Sequence, residues 1–282
     1  MAIHKRWLFI LAIPFLLSLL RCDCGTEPEP VMTDWDKGPS WSNRGDRLTF
    51  YGPAYRDSIH TVALYAIDTN GENRQLLAVE GLNSTWLPGD TAIIFFRPDF
   101  KLYYLNLANM QESLVCNCSF ARFPVMDPDG RHLYYEDAGA ADGWGNSIYR
   151  MDLTTGDTVR IRGGSFPSVS RDGRFLVVNR DHVYRVDLLT GAQLQIYGSG
   201  LEYDWSPDGD TVLIGRFYEK NLHNKMYKVT KDGRWSQYFT TGESPKYSPD
   251  GRRIAVIRVS SDGKEHLWLI DRDGRNPKQL TS

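Results

Sequence analysis

What this chain lacks narrows its chemistry before any motif is found. Its 282 residues include only four Cys and six His, and the His fall singly along the chain. No Gly-x-Ser-x-Gly elbow, His-Glu-x-x-His, phosphate-binding Gly-Lys-Ser/Thr loop or Gly-x-Gly-x-x-Gly turn occurs. That removes the serine hydrolases, zinc proteases, P-loop enzymes and dinucleotide enzymes that such motifs announce. Charge is nearly balanced, 33 Lys+Arg against 35 Asp+Glu, and no basic stripe offers a nucleic-acid footprint. Long apolar runs are missing too, apart from residues 7–20, which Pro14 interrupts. That run is too short to cross a bilayer comfortably. No catalytic residue is nominated, no cofactor or metal is expected, and the chain reads as a non-enzyme.

What is present is a repeat. Turns such as Trp205-Ser206-Pro207-Asp208-Gly209 and Tyr247-Ser248-Pro249-Asp250-Gly251 recur with their glycines at 45, 89, 130, 173, 209 and 251. Ser opens a type I turn, Pro presets the second position, Asp tolerates the third, and Gly takes the positive φ that closes a bulged hairpin. A β-branched or aromatic run follows each turn, as in Ile254-Ala255-Val256-Ile257. A second pattern, typified by Val183-Tyr184-Arg185-Val186-Asp187 and Leu267-Trp268-Leu269-Ile270-Asp271, keeps step with the first. A period near forty with about four strands per unit predicts an all-β fold: a six-bladed β-propeller of four-stranded antiparallel blades over residues 38–282. Trp41, Trp86 and Trp205 are expected in the blade cores. Ring closure stays open between consecutive strands only and a swapped strand from residues 31–33.

The turn segments around Gly209 and Gly251, with the ending from Leu267 to Thr281, resemble the WD-like propeller repeats of TolB-type proteins. The resemblance covers roughly residues 38 to 282. It is specific for fold, a propeller, but promiscuous for function. TolB proper carries an α/β domain ahead of its propeller, for which this sequence leaves no room, so that domain's roles are not carried over. Residues 1–25 read as an export signal, with His4-Lys5-Arg6 ahead of the apolar run. Cys22 follows, as in a bacterial lipoprotein signal, although Arg21 stands where a small residue is expected. Lipidation at Cys22, cleavage without lipid and a retained anchor all remain open. Residues 26–37 read as a tether. The other cysteines, Cys24, Cys116 and Cys118, allow several pairings that spacing cannot choose between.

Two surfaces are candidates for recognition. The first is the set of second-to-third strand loops, long in blades one, three, five and six, whose aromatic residues Tyr51, Tyr55, Trp144, Phe217 and Tyr218 suit a protein partner. The second is the mouth of the central channel, expected to be lined by Phe123, Phe166, Tyr203 and Asp204. Prolines there are expected to set an extended entry to each innermost strand, and no carboxylates are expected to converge. These features predict an exported envelope-binding protein, periplasmic or held to a membrane by its lipid. The alternative is a glycan, peptide or other small-ligand binder in the channel, with Phe123, Phe166 and Tyr203 stacking on the ligand. A propeller hydrolase or lyase is the third reading.

Overall fold

The computed structural model describes residues 35–56, 59–116, 118–139, 145–216 and 224–282. Twenty-four strands form six antiparallel sheets, each of four strands consecutive in the chain. Blade one is β1 (Lys37–Trp41), β2 (Arg47–Arg56), β3 (Ile59–Asp68) and β4 (Gln75–Val79). Blade two is β5 (Leu82–Trp86), β6 (Ala92–Phe96), β7 (Leu102–Asn106) and β8 (Glu112–Cys116). Blade three is β9 (Ala121–Met126), β10 (His132–Asp137), β11 (Ser147–Asp152) and β12 (Thr158–Gly163). Blade four is β13 (Ser165–Val169), β14 (Phe175–Asn179), β15 (Val183–Asp187) and β16 (Gln193–Tyr197). Blade five is β17 (Glu202–Trp205), β18 (Thr211–Arg216), β19 (Lys225–Thr230) and β20 (Ser236–Thr241). Blade six is β21 (Glu243–Tyr247), β22 (Arg253–Val259), β23 (Glu265–Asp271) and β24 (Lys278–Gln279).

The core lies between blades, because alternate side chains of a strand face opposite neighbours. In β6, Ile93 and Phe95 pack toward blade one while Ile94 and Phe96 pack toward blade three. In β22, Ala255 and Ile257 join blade one while Ile254 and Val256 join blade five. Six apolar clusters result, one at each seam. The seam tryptophans do more than fill space. Trp41 Nε1 donates to the Lys246 carbonyl at 2.9 Å, Trp86 to Ser40 at 3.2 Å and Trp205 to Ser168 at 3.2 Å, each reaching the preceding blade.

The innermost strands β1, β5, β9, β13, β17 and β21 touch in sequence, and β21 meets β1. The ring therefore closes without a swapped strand among the described residues; residues 31–33 lie outside them. The first strand starts at Lys37, and the residues before it already belong to the seam. Asp36 donates its N–H to the Glu265 carbonyl at 2.8 Å, and Trp35 makes a parallel bridge to Glu265. Thr281 Oγ1 donates to the Asp36 carboxylate and accepts the Leu267 N–H at 2.9 Å.

All six turn glycines have positive φ, between 68° and 81°. In three of the turns the serine hydroxyl donates to the Asp two residues on, from Ser170, Ser206 and Ser248, at 2.5 to 2.6 Å. It also accepts the N–H of the residue five positions later, at 2.8 to 3.0 Å. The serine of each such turn is thus satisfied within its own blade, while Arg272 reaches Asp208 and Arg171 reaches the Pro249 carbonyl from other blades. One expected loop is absent: β2 and β3 pair residue by residue out to Arg56 and Ile59, so Tyr51 belongs to a strand.

Candidate functional site at the mouth of the ring axis

The end of the axis opposite the turns is where the innermost strands begin, and its backbone is irregular. Register slips by a bulge near the start of β1, β5, β9, β13 and β21, and only β17 pairs without one. Gly38, Phe123, Phe166 and Ser244 each precede a proline, and their φ values are 57°, 51°, 55° and 50°. The expected extended entry is therefore wrong: the bulge turns the pre-proline residue into the left-handed region despite its steric preference for β. For Phe or Ser this conformation costs roughly 1–3 kcal/mol, so something else must hold it.

Carboxylates from the preceding blade hold two of these positions. Glu136 Oε2 accepts the Phe166 N–H at 3.0 Å, and its Oε1 accepts Arg122 Nη2 at 2.6 Å. Glu136 is 1% exposed, and burial raises its pKa against the pull of Arg122. Glu202 Oε2 accepts both the N–H and the hydroxyl of Ser244, at 2.7 and 2.8 Å.

One arc of the mouth, on blades five, six and one, is acidic. Lys37 reaches Glu243 Oε1 and, at 2.9 Å, Glu265 Oε1, while Asn224 donates to Glu243 Oε2. Burial, then the neighbouring Glu202 charge, push Glu243 up to about 7. Tyr51 lies opposite Lys37 in register, with its ring edge-on to Trp35 at 5.9 Å. Burial and the charges of Glu202, Glu243 and Glu265 raise the Tyr51 pKa, so its hydroxyl stays protonated.

The other arc, on blades two to four, is aromatic. Phe123 and Phe166 sit with ring centroids 4.6 Å apart, and Phe96 approaches Phe123 at 5.6 Å. Arg122 lies over Phe100 and Phe123 at 6.0 and 5.8 Å. Phe120, 45% exposed, packs on Phe100 at 5.4 Å, just beyond a disulfide joining Cys116 to Cys118.

The structure thus brings Phe123 and Phe166 together at the mouth but places two other nominated residues elsewhere. Tyr203 is 3% exposed and donates its hydroxyl to the Ser165 carbonyl at 3.0 Å, so its ring fills a seam and offers no stacking face. Asp204 sits deeper, between β17 and β21, accepting the Tyr247 N–H at 2.8 Å and Lys246 Nζ at 3.4 Å; burial raises its pKa, with Lys246 opposing. Trp144, Phe217, Tyr218, Cys22 and Cys24 lie outside the described residues, as does the Tyr55 side chain. The expectation of a mouth without convergent carboxylates is overturned by Glu202, Glu243 and Glu265. The readable signal was a Glu placed just ahead of Tyr203 and of Ser244 at two strand starts.

The opposite end holds a different cluster. Asp127, Asp129 and His132 have ligand atoms within 4.8 Å of one another, beside a cavity of about 470 Å³ also lined by Arg150 and Arg171. Asp127 stands where four of the five sister turns carry Ser and the blade-two turn carries Leu87. Asp129 Oδ1 accepts the N–H groups of Arg131 and His132, at 2.7 and 2.9 Å, and Oδ2 contacts His132 Nδ1. Turn bonding therefore accounts for Asp129, while Asp127, 7% exposed, has its pKa raised by burial.

No family model matches the sequence, and no curated protein matches it. Solved structures do. TolB from Acinetobacter baumannii superimposes with a TM-score of 0.71 at 19% identity, covering 86% of this chain and 65% of that one. A putative TolB from Agrobacterium tumefaciens gives 0.65 at 19% identity, covering 76% and 86%. A gluconolactonase from Xanthomonas campestris gives 0.63 at 13% identity, covering 85% and 86%. The chain spans just under two thirds of the length of the Acinetobacter protein. At these identities the likeness establishes a fold, the six-bladed propeller that TolB proteins and propeller enzymes share.

Proposed function

We propose that this chain is a non-enzymatic binding protein of the cell envelope, and that the axial mouth is the face it presents to a protein partner. One observation carries the reading. The mouth carboxylates hold backbone and lysine: Glu136 and Glu202 each fix a left-handed N–H of the next blade, and Glu243 is held by Lys37 and Asn224. The Ser244 hydroxyl beside Glu202 is buried and serves the same junction as its own N–H, whereas a rigid rim with exposed Phe120 suits recognition. The export signal read from residues 1–25 supports an envelope location, with Cys22 as the lipid attachment point.

A photo-crosslinking amino acid placed at Phe120 in intact cells tests this. The control position is Leu189, 85% exposed on a turn at the opposite end. Discrete protein adducts from position 120 and none from 189 are expected, and Phe166→Ala should weaken them. Adducts from 189 alone would overturn the choice of face. No adduct at either position would overturn the binding reading.

A second reading, a saccharide or other small ligand at the mouth, draws on the Phe123–Phe166 ring pair and on the likeness to a gluconolactonase. Thermal unfolding in a saccharide panel separates the two, since a true ligand raises the midpoint with concentration.

A further inference from the structure

Three carboxylates converge on the acidic arc, and among the described residues Lys37 is the cation seen paired with two of them, Glu243 and Glu265. Glu202 receives hydrogen bonds only from the neutral N–H and hydroxyl of Ser244. Among the described residues, Glu202 Oε1 and Glu265 Oε2 have no partner, and the Tyr51 hydroxyl between these groups has none either. The Asn83 side-chain carbonyl, against Gly38 on the same rim, is buried without a donor. The Asn83 carbonyl is thus a buried acceptor without a donor, while the second oxygens of Glu202 and Glu265 are not buried and stand open to an incoming donor.

An ammonium already fits beside them, because the Lys37 head group sits between two of the carboxylates. The arc is not self-sufficient. Uncompensated charge in a half-desolvated site is unfavourable until a cation arrives. The neighbouring arc, by contrast, offers the apolar faces of Phe123 and Phe166.

We infer that the mouth is built for a partner-protein segment that places a lysine or arginine against Glu202, Glu265 and Tyr51, with a neighbouring apolar side chain on Phe123 and Phe166. This rests on the proposed binding role of the mouth and adds the chemistry of its occupant. The segment's positive charge both completes the unpartnered acceptors and steers the encounter. An acidic segment meets repulsion at the same place, so the arc also rejects wrong partners.

The test is a phage-displayed library of random dodecapeptides, selected on the purified protein and then counter-screened. Mouth binders are those that protect a photo-crosslinker at Phe120. These peptides should be enriched in Lys or Arg beside an aromatic or aliphatic residue. Changing the basic residue to Gln should weaken a selected peptide by about tenfold or more. Glu202→Gln, which keeps the acceptor for Ser244 and removes the charge, should weaken it similarly, and added salt should do the same. Glu265→Gln serves as the second variant, since that carboxylate is 32% exposed and is expected to tolerate the change. An unchanged thermal midpoint shows that either variant is folded. Mouth binders without basic residues, or indifferent to both variants, would overturn the inference and leave the binding role standing. A library that yields no mouth binder would overturn both.

Discussion

The two ends of the ring axis are built by opposite rules. At the turn end, the serine of each Ser-Pro-Asp-Gly hairpin makes its hydrogen bonds inside one blade, as Ser206 does with Asp208 and Thr211, and arginines of other blades only add to them, at Asp208 and the Pro249 carbonyl. At the mouth, the groups that matter are satisfied across blades, as Glu136 does with Phe166 and Glu202 with Ser244. The serine bonding of the turn repeats because it needs nothing outside its own blade. A junction satisfied by its neighbour is free to differ from blade to blade, and here that freedom yields one aromatic arc and one acidic arc. Specialisation sits where the repeat is not closed on itself.

Substitutions at the two ends should separate them. The largest effect is expected at the mouth. Glu136→Ala strips the partner from a half-buried Arg122 and from the Phe166 N–H, and should cost about 3 kcal/mol. Glu136→Gln, which can still accept that N–H, should cost clearly less in urea unfolding. Equal losses would mean that Arg122 alone matters. At the turn end, Gly209→Val and Gly251→Val should each cost about 1–2 kcal/mol from the left-handed backbone. Gly251 should be the worse, because its added Cβ would lie 3.0 Å from Pro207 Cγ, whereas Gly209 faces open space.

A subtler test exploits the odd turn of blade three. Asp127→Ser replaces a buried carboxylate beside Asp129 by the hydroxyl that four sister turns use. It should stabilise the protein by about 1 kcal/mol, the worth of one hydrogen bond. Ser170→Ala, Ser206→Ala and Ser248→Ala should each destabilise by about that amount, and unequal losses among the three would break the claim that the turns are interchangeable. The smallest effect is a pH slope. Folded Glu243 keeps its proton toward neutrality, whereas the unfolded carboxyl releases it near 4.5. Across that window the folded chain binds more protons, so stability should fall as pH rises. Glu243→Gln should flatten this part of the thermal unfolding profile, and a slope left intact would assign it to other groups such as Asp36 or Glu136.

How legible these features were follows from the same contrast. The turns and the alternating strands were readable because a type I turn with a left-handed glycine and a period of two are local properties. The pairing of Val183–Asp187 with Phe175–Asn179 needed no partner outside the blade. The mouth was misread for two reasons: bulges turn the pre-proline residues of the other innermost strands, and on β17, which has none, the expectation fell one or two residues past the one that matters. Tyr203 and Asp204 were placed on the rim, whereas Glu202 is the residue that reaches Ser244. Lys37 fell at the edge of a supposed tether, and Glu265 closed a supposed loop, so their meeting across the ring closure had no sequence signature. Tyr51 looked like a loop residue because no turn signal marked how far the blade-one hairpin extends.

The account stands or falls on the mouth being the working end. Hydrogen–deuterium exchange of the protein, free and saturated with a crosslink-identified partner, measures this directly. Slower exchange is predicted at the starts of β9, β13, β17 and β21, including the Phe166 and Ser244 amides, with the Ser-Pro-Asp-Gly turns unchanged. Protection confined to those turns, with the mouth amides exchanging as in the free protein, would contradict it.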